Sequence, residues 1–126
     1  MLYIGSALII LWGMAHIVPT KGVVKGFGEI SQDNRHIITM EWIAEGLTLI
    51  FVGALVLLVV LLEGTGSSMG RWVIMASAAM LLVMAVLTQM TGARTSIVAI
   101  KICPWVKTLV AVLLLVFILG SSGYNL

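Results

Sequence analysis

Cysteine is almost missing from this 126-residue chain, in which Cys103 stands alone. That excludes a disulfide within the chain and any relay between paired thiols. Histidine is nearly as scarce, so His16 and His36 are the most that one chain can offer a metal or a haem. Of two prolines, Pro19 closes the first apolar run and Pro104 threatens a kink in the last. Charge is the largest deficit. Only 10% of residues are charged, against about 25% in a soluble protein. No Lys/Arg run is dense enough for nucleic acid or for a polybasic lipid switch, so nucleic acid is not an expected partner. HExxH, GxSxG and histidine-box patterns are also missing, and with them the usual residues of metal hydrolysis and nucleophilic catalysis. Enzymatic activity is therefore neither supported nor refuted by the sequence.

Apolar surface is what the chain has in excess. Hydrophobic residues make up 61%, against about 45–50% in a soluble domain. A globule this small cannot hide that much, because small domains bury the smallest fraction of their surface. The expected class is an all-α integral membrane protein whose principal surroundings are the lipid bilayer. Crossing it takes roughly 20 mainly apolar residues per helix, and four stretches qualify: 2–18, 37–62, 72–91 and 97–119. A polar segment, Thr20 to His36, separates the first two, and the turn Glu63-Gly64-Thr65-Gly66-Ser67-Ser68 separates the next. The expectation is thus one four-helix transmembrane domain over residues 1–126. No Lys or Arg precedes Lys21 and no A-x-A site follows the first run, so that run is read as a retained helix rather than a signal peptide. Lys21, Lys25, Arg35, Arg94, Lys101 and Lys107 fall on one side of such a bundle and Arg71 on the other. By the positive-inside rule both termini are expected outside, in a multi-pass protein of the cytoplasmic (cell) membrane.

Every Asp, Glu, Lys, Arg and His inside a span lies in the half nearest the expected cytoplasmic connections, with several neutral polar side chains beside them. They are His16, Glu41, Glu45, Thr48, Gln89, Lys101 and Lys107, with Thr88 and Cys103 at similar depth. Glu41 and Glu45 lie about 40° apart on one helix face and Thr48 about 20° from Glu41, whereas His36 is about 180° from Glu45. Glu45 and Lys107 match in depth, at about 12 and 15 Å along their helices, as do Glu41 and Lys101 at about 6 Å. A charge facing lipid at such depth costs at least about 2.5–3.5 kcal/mol, so it turns inward to a partner. The expectation is a polar cavity between the first, second and fourth spans, with pairs Glu45–Lys107 and Glu41–Lys101 or Glu41–His16. A purely structural account competes with it: the lysines snorkel, and Glu45 sits in an ion pair that fixes helix packing.

Other residues specify less. Cys103 reads as a small buried hydrophobe, because no histidine lies near it in sequence to stabilise a thiolate. Met75, Met80 and Met84 read as core filling rather than a copper path. A haem held by His16 and His36 requires both to face inward. The sequence thus specifies no cofactor and no metal ligand set. Trp72, beside Arg71, reads as an interfacial anchor, and Trp42 and Trp105 as candidate roofs of the cavity.

Gly13-Met14-Ala15-His16 followed by Pro19, together with Glu45-Gly46-Leu47-Thr48-Leu49 and Gly53, resembles the DoxX-like group of small four-helix membrane proteins. The resemblance covers about a third of the chain, and the last two spans do not contribute. It implies a four-helix bundle in the cytoplasmic membrane, sometimes associated with quinone-linked oxidoreductases, and it names no reaction. The leading functional expectation is a module that binds a lipophilic small molecule such as a quinone, or a subunit attached to a membrane redox partner or to further copies of itself. A proton-coupled transporter of the small multidrug type and a purely structural subunit are the alternatives.

Overall fold

The computed structural model of the chain describes residues 1–64 and 66–122. Among them the secondary structure is helical throughout: α1 (Leu2–Ile17), α2 (Thr20–Gly26), α3 (Gln32–Glu63), α4 (Ser68–Met90) and α5 (Val98–Ser122), with a single 3-10 turn at Gly92–Arg94. Each boundary has a local cause. α3 starts at Gln32, five residues before the expected position, because the Ser31 hydroxyl accepts the Asn34 N–H at 3.1 Å and Asp33 sits in the positive first turn. Ser67 starts α4 in the same way, accepting from Gly70 N–H at 3.2 Å. Gly64 ends α3 at φ 70°, in the left-handed region that glycine enters without a Cβ clash. Thr65 of that turn lies outside the described residues. Pro104 sits in the second turn of α5 and does not end it.

The segment expected to be merely polar, Thr20 to His36, is instead mostly helical, divided between α2 and the start of α3. α1 stops where Pro19 cannot supply the next backbone N–H. Its last carbonyls are taken over by side chains: Thr20 Oγ1 donates to Ile17 O at 2.6 Å, and Trp42 Nε1 donates to His16 O at 2.6 Å. α2 leaves at 54° to α1. Three helices, α3, α4 and α5, are long and apolar enough to cross a membrane, and the bent α1–α2 pair makes a fourth if counted as one broken span. The expected first span, 2–18, is α1 almost residue for residue, but it reaches spanning length only together with α2. α1 alone has 16 residues, about 24 Å against a hydrocarbon core of about 30 Å.

α1 packs against α3 and α5, and α4 packs against α5 and, more loosely, α3. The core between them is built from residues at helical spacing: Leu49, Val52, Val56 and Val60 of α3, Ile74, Ala78 and Leu81 of α4, and Val110, Leu114 and Ile118 of α5. The outward faces are apolar as well, with Phe51, Leu61, Val83 and Leu119 all exposed, the pattern of helices that are hydrophobic all round. The α1–α3 seam is closed by glycine. A Cβ on Gly13 would stand 2.6 Å from Gly46 O, and one on Gly53 would stand 2.8 Å from Ser6 O. Removing those methyl groups lets the two backbones approach, as in small-residue helix contacts generally. That close approach brings the end of α1 against the first half of α3.

Candidate functional site

The bundle end where α1 and α4 finish and α3 and α5 begin gathers the polar side chains. Lys107 of α5 is completely buried. Its ammonium donates to Glu45 Oε1 of α3 and, at 2.8 Å, to Thr88 Oγ1 of α4. The Thr88 hydroxyl proton is committed to Met84 O at 2.8 Å, which leaves its oxygen free to accept from lysine. Three helices are thus tied at one ammonium. A buried cation held this way is strongly destabilising once its counter-charge is removed.

A second cluster lies behind the carboxylate. His16 of α1 is buried, and its Nδ1 lies 3.1 Å from Trp12 O. A carbonyl only accepts, so Nδ1 carries a proton and the lone pair of the neutral ring is on Nε2. Nε2 faces Cys103 Sγ at 3.6 Å and Glu45 Oε1 at 3.9 Å. Cys103 Sγ lies 3.7 Å from the same carboxylate oxygen and accepts Trp12 Nε1–H at 3.3 Å. Trp42 stacks on the imidazole with centroids 5.2 Å apart, and Trp12 meets it edge-on at 6.0 Å. The ring is therefore fixed by a hydrogen bond and two indoles.

Glu45 separates this cluster from an open groove of about 480 Å³ between α3 and α4, where the two helices pack most loosely. Glu45, Lys107 and Thr88 supply its polar floor, and Ile38, Trp42, Met84 and Leu87 are among its apolar walls. No family model, no curated protein and no solved structure matches the chain. The chemistry of the site is accordingly argued from its own residues.

The structure brings together the expected pair Glu45–Lys107 and seats His16 beside it. Thr48 lines the groove with its hydroxyl turned to Ala44 O at 2.7 Å. Other expectations are corrected. The polar cluster lies between α1, α3 and α5, the expected first, second and fourth spans, whereas the open groove lies between α3, α4 and α5. Glu41 is exposed at the groove's mouth and, among the described residues, pairs with neither Lys101 nor His16, because it lies one turn nearer the helix end. Lys101 is exposed too: six residues before Lys107, it is about 240° around α5. Gln89, about 100° beyond Thr88, opens onto a separate pocket of about 280 Å³ with Pro104, Trp105 and Thr108. Trp42 does wall the groove, and Trp105 does not. His36 is exposed on α3 and does not face His16.

Cys103, Trp12 and Thr88 belong to the site although the sequence reading assigned them no role in it. Helical spacing carried a signal for two of them. Cys103 precedes Lys107 by four residues and Trp12 precedes His16 by four, which puts each on the face of an expected site residue. The histidine that Cys103 lacks nearby in sequence arrives from 87 residues away.

Proposed function

We propose that the chain is a multi-pass protein of the cytoplasmic membrane that holds a lipophilic small molecule with a polar, hydrogen-bonding head, such as a quinone, in the α3–α4 groove. One observation carries this reading: an apolar-walled groove that ends on the Glu45 carboxylate, held there by a buried ammonium. Lys107 is sealed behind Glu45, Thr88 and Cys103, so the group offered to the groove is the carboxylate, 28% exposed. A carboxylate only accepts, and the hydroxyl of a reduced quinone head is a donor of the kind it needs. Ligand sites are usually apolar clefts with a few convergent polar groups, at volumes of about 300–1,000 Å³, and this groove falls in that range. The resemblance of the α1 end and of the Glu45-Gly46 segment to the DoxX-like group is in keeping with such a role. Attachment to a membrane redox partner, or to further copies of the chain, belongs to the same reading, since the groove residues supply a site for the ligand and none for electrons. A small-multidrug type of transport would need a carboxylate available to cations, and the hold of Lys107 on Glu45 favours the ligand-head reading instead.

The test is titration of the detergent-purified protein with a decyl-tailed benzoquinone kept in its reduced, hydroxyl form, followed by tryptophan quenching. Trp42 lines the groove, so quenching should saturate near one equivalent and fall sharply in Trp42→Phe. Lys107→Met should abolish the saturable part. Quenching that rises linearly with quinone, equally in all three proteins, is partitioning into detergent and would sink the proposal.

A further inference from the structure

We infer that His16, Glu45 and Cys103 form a three-ligand site for a divalent transition metal ion of the zinc class. Their donor atoms, Nε2, Oε1 and Sγ, all lie within 4.8 Å of one another, and they come from three helices. With Zn–S of about 2.3 Å, Zn–N of about 2.0–2.1 Å and Zn–O of about 2.0–2.2 Å, tetrahedral angles set the S···N and S···O edges near 3.6 Å and the N···O edge near 3.4 Å. The observed edges are 3.6, 3.7 and 3.9 Å. Two edges need no adjustment, and the third closes by a small movement of Glu45, whose side chain is 28% exposed. Thiolate, imidazole and carboxylate together suit a borderline-soft ion and not a hard one such as magnesium.

The surroundings also match what such a site requires. A ligating histidine donates its other ring N–H to a fixed acceptor, which sets the tautomer and the ring's direction; here Trp12 O accepts from Nδ1. The Trp12 indole N–H points at the sulfur, where it stabilises a thiolate. Binding releases the Cys103 proton to solvent; thiolate and carboxylate then offset the two charges of the ion, and the remaining positive charge, that of Lys107, calls for an anion in the fourth position. Glu45 keeps a second oxygen, Oε2, for Lys107 when Oε1 goes to the metal. Three protein ligands leave the fourth tetrahedral position to an exogenous group, the arrangement of reactive rather than purely structural zinc sites. The site shares Glu45 with the groove but does not rest on the ligand reading, because its other two ligands, His16 and Cys103, lie off the groove.

The probe is Co²⁺ added to the purified, metal-stripped protein in detergent. One equivalent per chain should produce the visible bands of tetrahedral cobalt together with a near-ultraviolet thiolate-to-cobalt charge-transfer band, and Zn²⁺ should displace both. Cys103→Ser should remove the charge-transfer band, His16→Gln should weaken binding by at least about tenfold, and Trp12→Phe should weaken it by about tenfold. His36→Gln should change nothing. Zn²⁺ binding by the unaltered chain should release about one proton per ion, read as a buffer-dependent heat in calorimetry, a measurement that does not rely on any variant folding. Absence of saturable Co²⁺ binding, a charge-transfer band that survives Cys103→Ser, or Zn²⁺ binding without proton release would overturn the inference.

Discussion

Replacing Glu45 by Gln strands the Lys107 ammonium, and the size of that effect follows from burial. Lys107 is 0% exposed, and it would be left with the Thr88 hydroxyl and the Cys103 thiol, neither of which carries a counter-charge. Breaking a buried ion pair by removing one member costs about 3–5 kcal/mol. Gln keeps a carbonyl acceptor at the same place, so the lower figure, about 3 kcal/mol, is expected, and at this chain length that is about 10 °C in melting temperature. Lys107→Met leaves the converse problem, an unpaired carboxylate. Glu45 reaches the open groove with 28% of its side chain exposed, so water or a proton relieves it, and the loss should be smaller, about 1–2 kcal/mol. The double variant removes both charges and should recover most of either loss, since apolar or neutral replacement of a whole buried pair is often nearly neutral. A coupling energy of about 3–4 kcal/mol is expected from the cycle. The assay is thermal unfolding in one detergent without added ligand or metal, read by circular dichroism. Additive losses would show that the two side chains do not meet, and a larger loss for Lys107→Met than for Glu45→Gln would show that the groove does not open onto Glu45.

Three further outcomes are expected. Gly53→Ala should destabilise by about 1–3 kcal/mol, because its methyl would meet Ser6 O at 2.8 Å, whereas Gly22→Ala, with nothing within 4 Å, should not; paired thermal melts separate the two. Single cysteines at positions 67 and 123, in a Cys103→Ser background, should react with an impermeant maleimide in intact cells; labelling of both only after lysis would reverse the proposed orientation. The purified protein should show no stoichiometric Soret band, since His36 is exposed on α3 and does not face the buried His16.

Composition and hydropathy were enough to specify helices and to place their apolar lengths, because a run such as Leu55 to Leu62 has no strand or loop reading in so apolar a chain. The same linear arithmetic matched Glu45 with Lys107, since depth along a helix depends only on counting residues from its end. It failed where local hydrogen bonds moved an end or started a helix: Ser31 carried α3 back to Gln32, and the polar segment after Pro19 folded into α2. Depth also could not say which of several residues at one level turn inward, which is why Lys101 and Gln89 were grouped with Lys107. Lateral position is a property of the packed bundle. Gly13, Gly46 and Gly53 set how closely α1 lies on α3, and that approach alone carries the His16 imidazole to Glu45. Loose packing of α3 on α4 opened the groove on the side the sequence had not indicated. Cys103 illustrates the division most clearly. Its sequence neighbourhood holds no ligand or base, and only the joining of α1 and α5 brings an imidazole to 3.6 Å from its sulfur.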